Sequence, residues 1–85
     1  MTARELKIAK AILDALHDVD GMQMVEPVLH ADAQLRLGEK IPLAEFEAAL
    51  AVCDAKRWLT GVKGKFLGRK WNINDAGEAA RLEMV

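Results

Sequence analysis

The sequence predicts a small α+β domain, mostly α-helical with one small antiparallel β-hairpin: a three-helix core with the hairpin appended to it. Three observations carry that expectation. First, in the run from Ile41 to Gly77, Leu43, Phe46, Leu50 and Cys53 recur at i, i+3, i+7 and i+10, which is one face of a helix. Second, Gly61, Gly64 and Gly68 then break the helical period, and the residues around them, Trp58 to Val62 and Arg69 to Ile73, are rich in the aromatic and β-branched types that strands favour. Third, 85 residues with a hydrophobic fraction of 52% supply enough apolar material for one core and too little chain for two, so the expectation is a single domain over residues 1–85.

The elements follow in order. Thr2 and Glu5 have capping-box spacing, so a first helix begins at about Ala3. Leu6, Ala9, Leu13 and Leu16 make one stripe on it, and Ile8, Ile12, Ala15 and Val19 a neighbouring one. The combined apolar face is wider than one partner surface needs, so it either touches two neighbours in the core or leaves part of itself as a dimer seam. Asp20-Gly21 ends this helix, because Gly tolerates the left-handed cap. Met22, Gln23 and Met24 form a short connector able to add an edge strand to the hairpin. Pro27 marks the first turn of a second helix with Val25, Val28, Leu29, Leu35 and Leu37 as its apolar content, and Gly38 closes it. Glu39, Lys40 and Ile41 turn into the third helix, where Pro42 suits the first turn. The hairpin tip falls near Gly64 to Gly68. Asn74 or Asp75 then caps a last helix running through Ala79, Ala80 and Leu82 to the terminus, and Asp75 with Glu78 again has capping-box spacing. Leu13, Leu16, Leu29, Phe46, Leu50, Leu59 and Ile73 are the expected core.

The net charge of −1 conceals an asymmetry. Between Ala55 and Asn74 stand Lys56, Arg57, Lys63, Lys65, Arg69 and Lys70 with no acid among them, so that stretch carries +6 while the rest of the chain carries −7. A cationic hairpin on an anionic body suits either a polyanion or an acidic protein surface.

Catalysis finds little support. The chain has no Ser or Tyr, and its only Thr residues are Thr2 and Thr60. His17 and His30 fall on different helices without a Cys or carboxylate set at metal-ligand spacing, and the glycines sit in a hairpin rather than between strand and helix. The expectation is therefore no enzyme, no cofactor and no metal. One cysteine, Cys53, permits no intrachain disulfide and reads as a small core residue. No apolar run reaches the ~18 residues of a membrane span, and no leader pattern is visible. A cytoplasmic protein without membrane contact is expected.

The order helix, short strand, helix, helix, strand, turn, strand, helix resembles the winged helix-turn-helix superfamily, as a small single-domain bacterial or phage-like member. The most specific part is Phe46-Glu47-Ala48-Ala49-Leu50, then Lys56-Arg57-Trp58-Leu59, then Trp71-Asn72-Ile73-Asn74-Asp75-Ala76-Gly77. It is similar to a recurring bacterial pattern: an Ala/Leu-rich third helix, a basic–aromatic–aliphatic strand, and an aliphatic–cap–x–Ala–Gly exit from the wing. The resemblance implies double-stranded DNA as partner and a role in transcriptional control or as an accessory factor. The same superfamily contains members that bind only proteins, so the alternative is an interaction or homodimerisation module without DNA.

In DNA-binding members the outer face of the third helix reads bases and the wing holds phosphates. Here Leu43, Phe46, Leu50 and Cys53 take the inside, which leaves Ala44, Glu47, Ala48, Ala51 and Ala55 outside, with Glu45 near the first turn. That face has no Arg, Lys, Asn or Gln before Lys56 and so lacks the usual partners for guanine and adenine edges. The candidate contact set is accordingly the hairpin and its foot: Lys56, Arg57, Lys63, Lys65, Phe66, Arg69 and Lys70. The cations suit a phosphate backbone, with sequence-independent and salt-sensitive affinity. Phe66 is placed to enter a minor groove or stack on an unpaired base. The bland reading is that these charges are solvated and Phe66 folds back on the body. Trp58 and Trp71 read as core, since Trp71 and Ile73 share strand parity.

Overall fold

The structure is a computed structural model and describes residues 1–63 and 68–84. Along the chain lie α1 (Ala3–Asp18), β1 (Met24–Val25), α2 (Glu26–Leu37), α3 (Leu43–Ala55), β2 (Leu59–Lys63), β3 (Arg69–Ile73) and α4 (Asp75–Glu83). The three strands form one antiparallel sheet in the order β1-β3-β2. The chain is thus mostly helical with a small antiparallel sheet, as expected. The edge strand expected from the Met22–Met24 connector is real, with Met24 opposite Trp71 and Val25 opposite Lys70. Gly64, Lys65, Phe66 and Leu67, where the hairpin tip was expected, lie outside the described residues.

α1 is the element on which the others pack. Its capping box is complete: the Glu5 N–H donates to Thr2 Oγ1 at 3.1 Å and the Thr2 N–H to Glu5 Oε1 at 3.3 Å. Ile8, Ala9, Ala11, Ile12, Leu13, Ala15 and Leu16 are all buried, against α2, α3, α4 and β3. The wide apolar face is therefore used within the chain. Leu6, 42% exposed, and Val19, half-buried at the C-cap, stay outside this core. Burying one large aliphatic side chain contributes about 1.5–3 kcal/mol, and Ile8, Ile12, Leu13, Leu16, Leu29, Ile41 and Phe46 are all fully or almost fully buried.

Several boundaries and faces differ from the expectation. Leu43 is not an inner residue: at 58% exposed it stands outside, and Ala49 takes the inner place beside Phe46, Leu50 and Cys53. The helix opens at Leu43 with Pro42 as its cap, and at ~100° per residue Leu43 falls at the margin of the inner stripe, on the side of the exposed Glu47. In α2 only Leu29 and Ala33 are buried, while Val28 and Leu35 are exposed. β2 begins one residue later than expected, at Leu59, because Trp58 is still occupied in closing α3. Ile73 is half-buried, not fully buried. Asn74 alone caps α4, its Oδ1 accepting from the Gly77 N–H at 2.9 Å, so Asp75 and Glu78 form no capping box.

Ion pairs staple the periphery. The Arg4 guanidinium pairs with Glu39 and with Glu45, joining α1 to the α2–α3 turn and to α3. The hydrogen bond from Arg4 holds the Glu39 carboxyl below the usual carboxylate range. Arg36 bonds Asp18 at 2.7 Å and Asp32 at 2.7 Å, and its hydrogen bond lowers the Asp18 pKa in the same way. At the other end of α1, Arg81 reaches Asp14 at 3.3 Å and the His17 Nδ1–H donates to Glu78 at 2.8 Å, which docks α4.

Candidate nucleic-acid interface

The cationic stretch begins where α3 ends. The Arg57 N–H donates to the Asp54 carbonyl and the Trp58 N–H to the Cys53 carbonyl, both at 3.0 Å, which is the paired closure of a Schellman cap. That closure needs a left-handed residue at Arg57, and Arg57 adopts φ 59°. Glycine is the usual occupant there because a Cβ costs roughly 1–2 kcal/mol in this region. The Asn74 side chain steadies the turn by donating from Nδ2 to the Arg57 carbonyl at 2.8 Å. Lys56, beside it, places its ammonium 5.6 Å from the centroid of the Trp58 ring, within cation–π range.

From this foot the hairpin carries the other cations outward. Lys63 lies opposite Arg69, Val62 opposite Lys70 and Gly61 opposite Trp71. Residues directly opposite share a face, so Lys63 and Arg69 stand on the helix-facing side with Leu59 and Trp71, and Lys70 on the outer side. The strand rise of ~3.3 Å per residue puts Lys63 roughly 13 Å from Leu59, beyond the foot. Lys56, Arg57, Lys63, Arg69 and Lys70 are all exposed, the first two at the foot and the other three along the hairpin, with Lys70 on the opposite face from Lys63 and Arg69. Lys65 and Phe66 lie outside the described residues. Gly61 permits the hairpin to close over Trp71, since a Cβ there would meet the indole at 2.7 Å.

The neighbouring face of α3 has the opposite character. Ala44, Glu47, Ala48, Ala51 and Ala55 are exposed as expected, with Leu43 and Asp54 added to them. Between this face and β3 runs a groove of about 280 Å³ lined by Glu26, Glu47, Leu50, Ala51, Asp54, Arg69 and Trp71. Arg69 stacks 5.7 Å over the Trp71 ring and approaches Asp54 at 3.9 Å. The Trp71 indole N–H donates to Glu26 Oε1 at 3.0 Å. Sequence reasoning assigned neither Glu26 nor Asp54 a place here. The one available signal was that the inner parity of Trp71 requires a polar partner for its buried indole N–H.

Other chemistry-bearing groups are occupied structurally. His30 Nε2–H donates to the Ile41 carbonyl at 2.6 Å, and its ring stacks on Phe46 with centroids 4.6 Å apart. Burial pushes the Cys53 thiol up to about 12. Among the described residues no three His, Cys, Asp or Glu side chains gather as a metal-binding group, and no helix is long and apolar enough to cross a membrane. Compared with known proteins, the chain matches no protein-family profile, no curated protein and no solved structure.

Proposed function

We propose that this chain is a winged-helix module of the cytoplasm that binds the backbone of double-stranded DNA through its basic wing, as a small transcriptional regulator or accessory factor rather than as an enzyme. The observation that carries the reading is the exposure of every described cation of the 56–70 stretch, at the foot of the hairpin and along it. Arg57 adds to it. A side chain kept in a left-handed position where glycine would be cheaper is a cost to the fold, and such strain marks functional positions. The element order and the β1-β3-β2 sheet are compatible with the winged-helix reading. The outer face of α3, with Glu47 and Asp54, argues for backbone contact without base reading, because carboxylates repel phosphates and alanines offer no hydrogen bond to a base edge.

The test is an anisotropy titration of random-sequence duplex DNA between ~50 and ~200 mM salt. Each neutralised phosphate contributes a slope of about −0.9 in log affinity against log salt, so four contacts from Lys63, Lys65, Arg69 and Lys70 give roughly −3.6. Arg57→Gly discriminates: it relieves the left-handed strain and raises the melting temperature, while affinity for every sequence falls and the slope flattens by up to about one contact. An absence of salt-dependent binding at ~50 mM sinks the DNA reading.

A second reading, a protein-interaction module, is favoured by the exposed Leu43, Ala44, Ala48 and Ala51 on α3 with Val28 of α2. It expects negligible DNA affinity at any salt, and a partner whose binding is lost when Ala48 or Ala51 is made bulky.

A further inference from the structure

We infer that the pocket where α2 and α4 both end against the N-terminal half of α1 binds a medium-chain aliphatic carboxylate, its alkyl chain on Leu6, Leu37 and Met84 and its head on the Lys7 ammonium. The site contains no residue of the hairpin, so it does not rest on the DNA reading. Helix lengths make the pocket. α2 stops at Leu37, where Gly38 adopts φ 71° and turns the chain, and α4 stops at Glu83. Neither covers Leu6, at the near end of the wide apolar face of α1, which stays 42% exposed. Leu37 and Met84, half-buried and packed on the core, form the other apolar walls. The pocket has a volume of about 520 Å³, within the ~300–1,000 Å³ of small-molecule sites, and is lined by Leu6, Lys7, Lys10, Leu37, Glu39 and Met84.

The ligand class follows from the charge and chemistry of the lining. Lys10 is the i+3 neighbour of Lys7 and the i+4 neighbour of Leu6, so the three share one side of α1. The lining holds two ammoniums and one carboxylate, an excess of one positive charge. The carboxylate, Glu39, is taken by Arg4. Lys10 is taken by Asp14 at 2.9 Å, which also receives Arg81 at 3.3 Å. These pairs tie α1 to the α2–α3 turn and to α4, and so fix the walls. Lys7 is exposed and forms no ion pair among the described residues, which leaves it as the cation for a ligand. One excess charge matches a carboxylate, whereas a phosphate monoester, at about −1.5 to −2, would stay under-neutralised. Apart from these charged groups the lining is aliphatic and thioether surface with no aromatic ring or hydroxyl, which selects an alkyl chain over a sugar or a nucleobase.

The experiment titrates the whole chain, without DNA, with butyrate, hexanoate, octanoate and 1-octanol, and reads backbone amide shifts by NMR, which follows millimolar affinities. Octanoate is expected to shift the amides of Leu6, Lys7, Lys10, Leu37 and Met84. Affinity should rise from butyrate to octanoate by up to about fourfold per buried methylene. Octanoate should bind roughly two- to fivefold tighter than 1-octanol, since its head meets Lys7 at an exposed rim. Lys7→Gln should remove that preference and leave 1-octanol binding unchanged. Leu6→Glu sets a carboxylate in the apolar wall and should weaken octanoate by roughly tenfold or more. Both positions are exposed, and circular dichroism checks that each variant folds; if Leu6→Glu does not, Leu6→Gln repeats the test. A wild type that binds no octanoate, shifts confined to other surfaces, affinity indifferent to chain length, or a preference for octanoate that survives Lys7→Gln each overturn the proposal. Sedimentation tests the other occupant: a dimer that Leu6→Glu dissociates would put a second copy in the pocket and overturn it too. No DNA is present, so this result and the DNA titration fail separately.

Discussion

Gly77→Ala sets two physical effects against each other with opposite signs. Gly77 is the third residue of α4, where helix propensity alone favours Ala by about 1 kcal/mol. The structure reverses that sign. A Cβ on Gly77 would lie 2.2 Å from the Trp58 carbonyl oxygen and 2.7 Å from Ile73 Cγ1. An ordinary C···O contact is ~3.3 Å, so the helix and the backbone entering β2 must separate by about 1 Å. The nearest obstacle is backbone and cannot rotate away. Separation also strains the Asn74 bonds that tie the two segments, from its N–H to the Trp58 carbonyl at 3.3 Å and from Nδ2 to the Arg57 carbonyl at 2.8 Å. Overpacking costs ~1–3 kcal/mol, and loosening two hydrogen bonds costs roughly 1 kcal/mol each. Set against the ~1 kcal/mol of propensity, the net loss is about 2–4 kcal/mol. For a domain of this size each kcal/mol lowers the melting temperature by ~4–8 °C, so the drop is at least ~8 °C. Far-UV circular dichroism on heating measures it, with Ala79→Gly, on the exposed face of the same helix, as a control that loses only ~1 kcal/mol. A Gly77→Ala protein as stable as the wild type would refute the close approach and the packing of α4 on the hairpin.

Three further outcomes are expected. Leu50→Ala removes a buried side chain between α3 and the sheet and costs ~2–5 kcal/mol in denaturant unfolding; little change would mean the inner face of α3 is misassigned. Glu39 and Asp18 have folded pKa values held below their ordinary ones by Arg4 and Arg36. Their contribution is therefore complete above the unfolded values of ~4.3 and ~3.9 and is lost as pH falls through the folded values. Melting temperature should decline below about pH 4, less steeply in Glu39→Gln with Asp18→Asn; an equal decline would remove these pairs from the account. Cys53, buried with its thiol near 12, should resist alkylation at neutral pH until denaturant opens the core, and rapid labelling of the native chain would contradict its burial.

Local chemistry explains where the sequence was readable. The Thr2–Glu5 box, Gly38 as a left-handed cap and the hairpin segments all depend on residues within a few positions of each other, and all stand in the structure. Leu43 failed because periodicity assigns a face but not its width: Leu43 lies at the margin of the inner stripe beside the exposed Glu47, although Ile41, two residues earlier, is buried. The choice between Asn74 and Asp75 depended on Trp58 and Arg57, which receive the Asn74 amides from 16 and 17 residues earlier in the chain. Glu78, free of any capping role, meets His17 across the α1–α4 contact instead.

For the candidate interface the division is the same. The sequence by itself determined that the cations fall in one stretch and that the third helix presents alanine and glutamate outward, because both follow from order along the chain and helical period. Only the tertiary structure decided that Glu26 and Asp54 join Glu47 around Trp71, setting an acidic groove directly beside the basic arm. Those three carboxylates come from two helices separated by a turn, and they face one strand only when α2 and α3 fold against β3. The width of the α1 face was legible too, but whether it served a second copy or this chain's own helices was not. Packing shows how most of it is used: α2, α3, α4 and β3 together cover the buried part of that face, and Leu6 stays exposed.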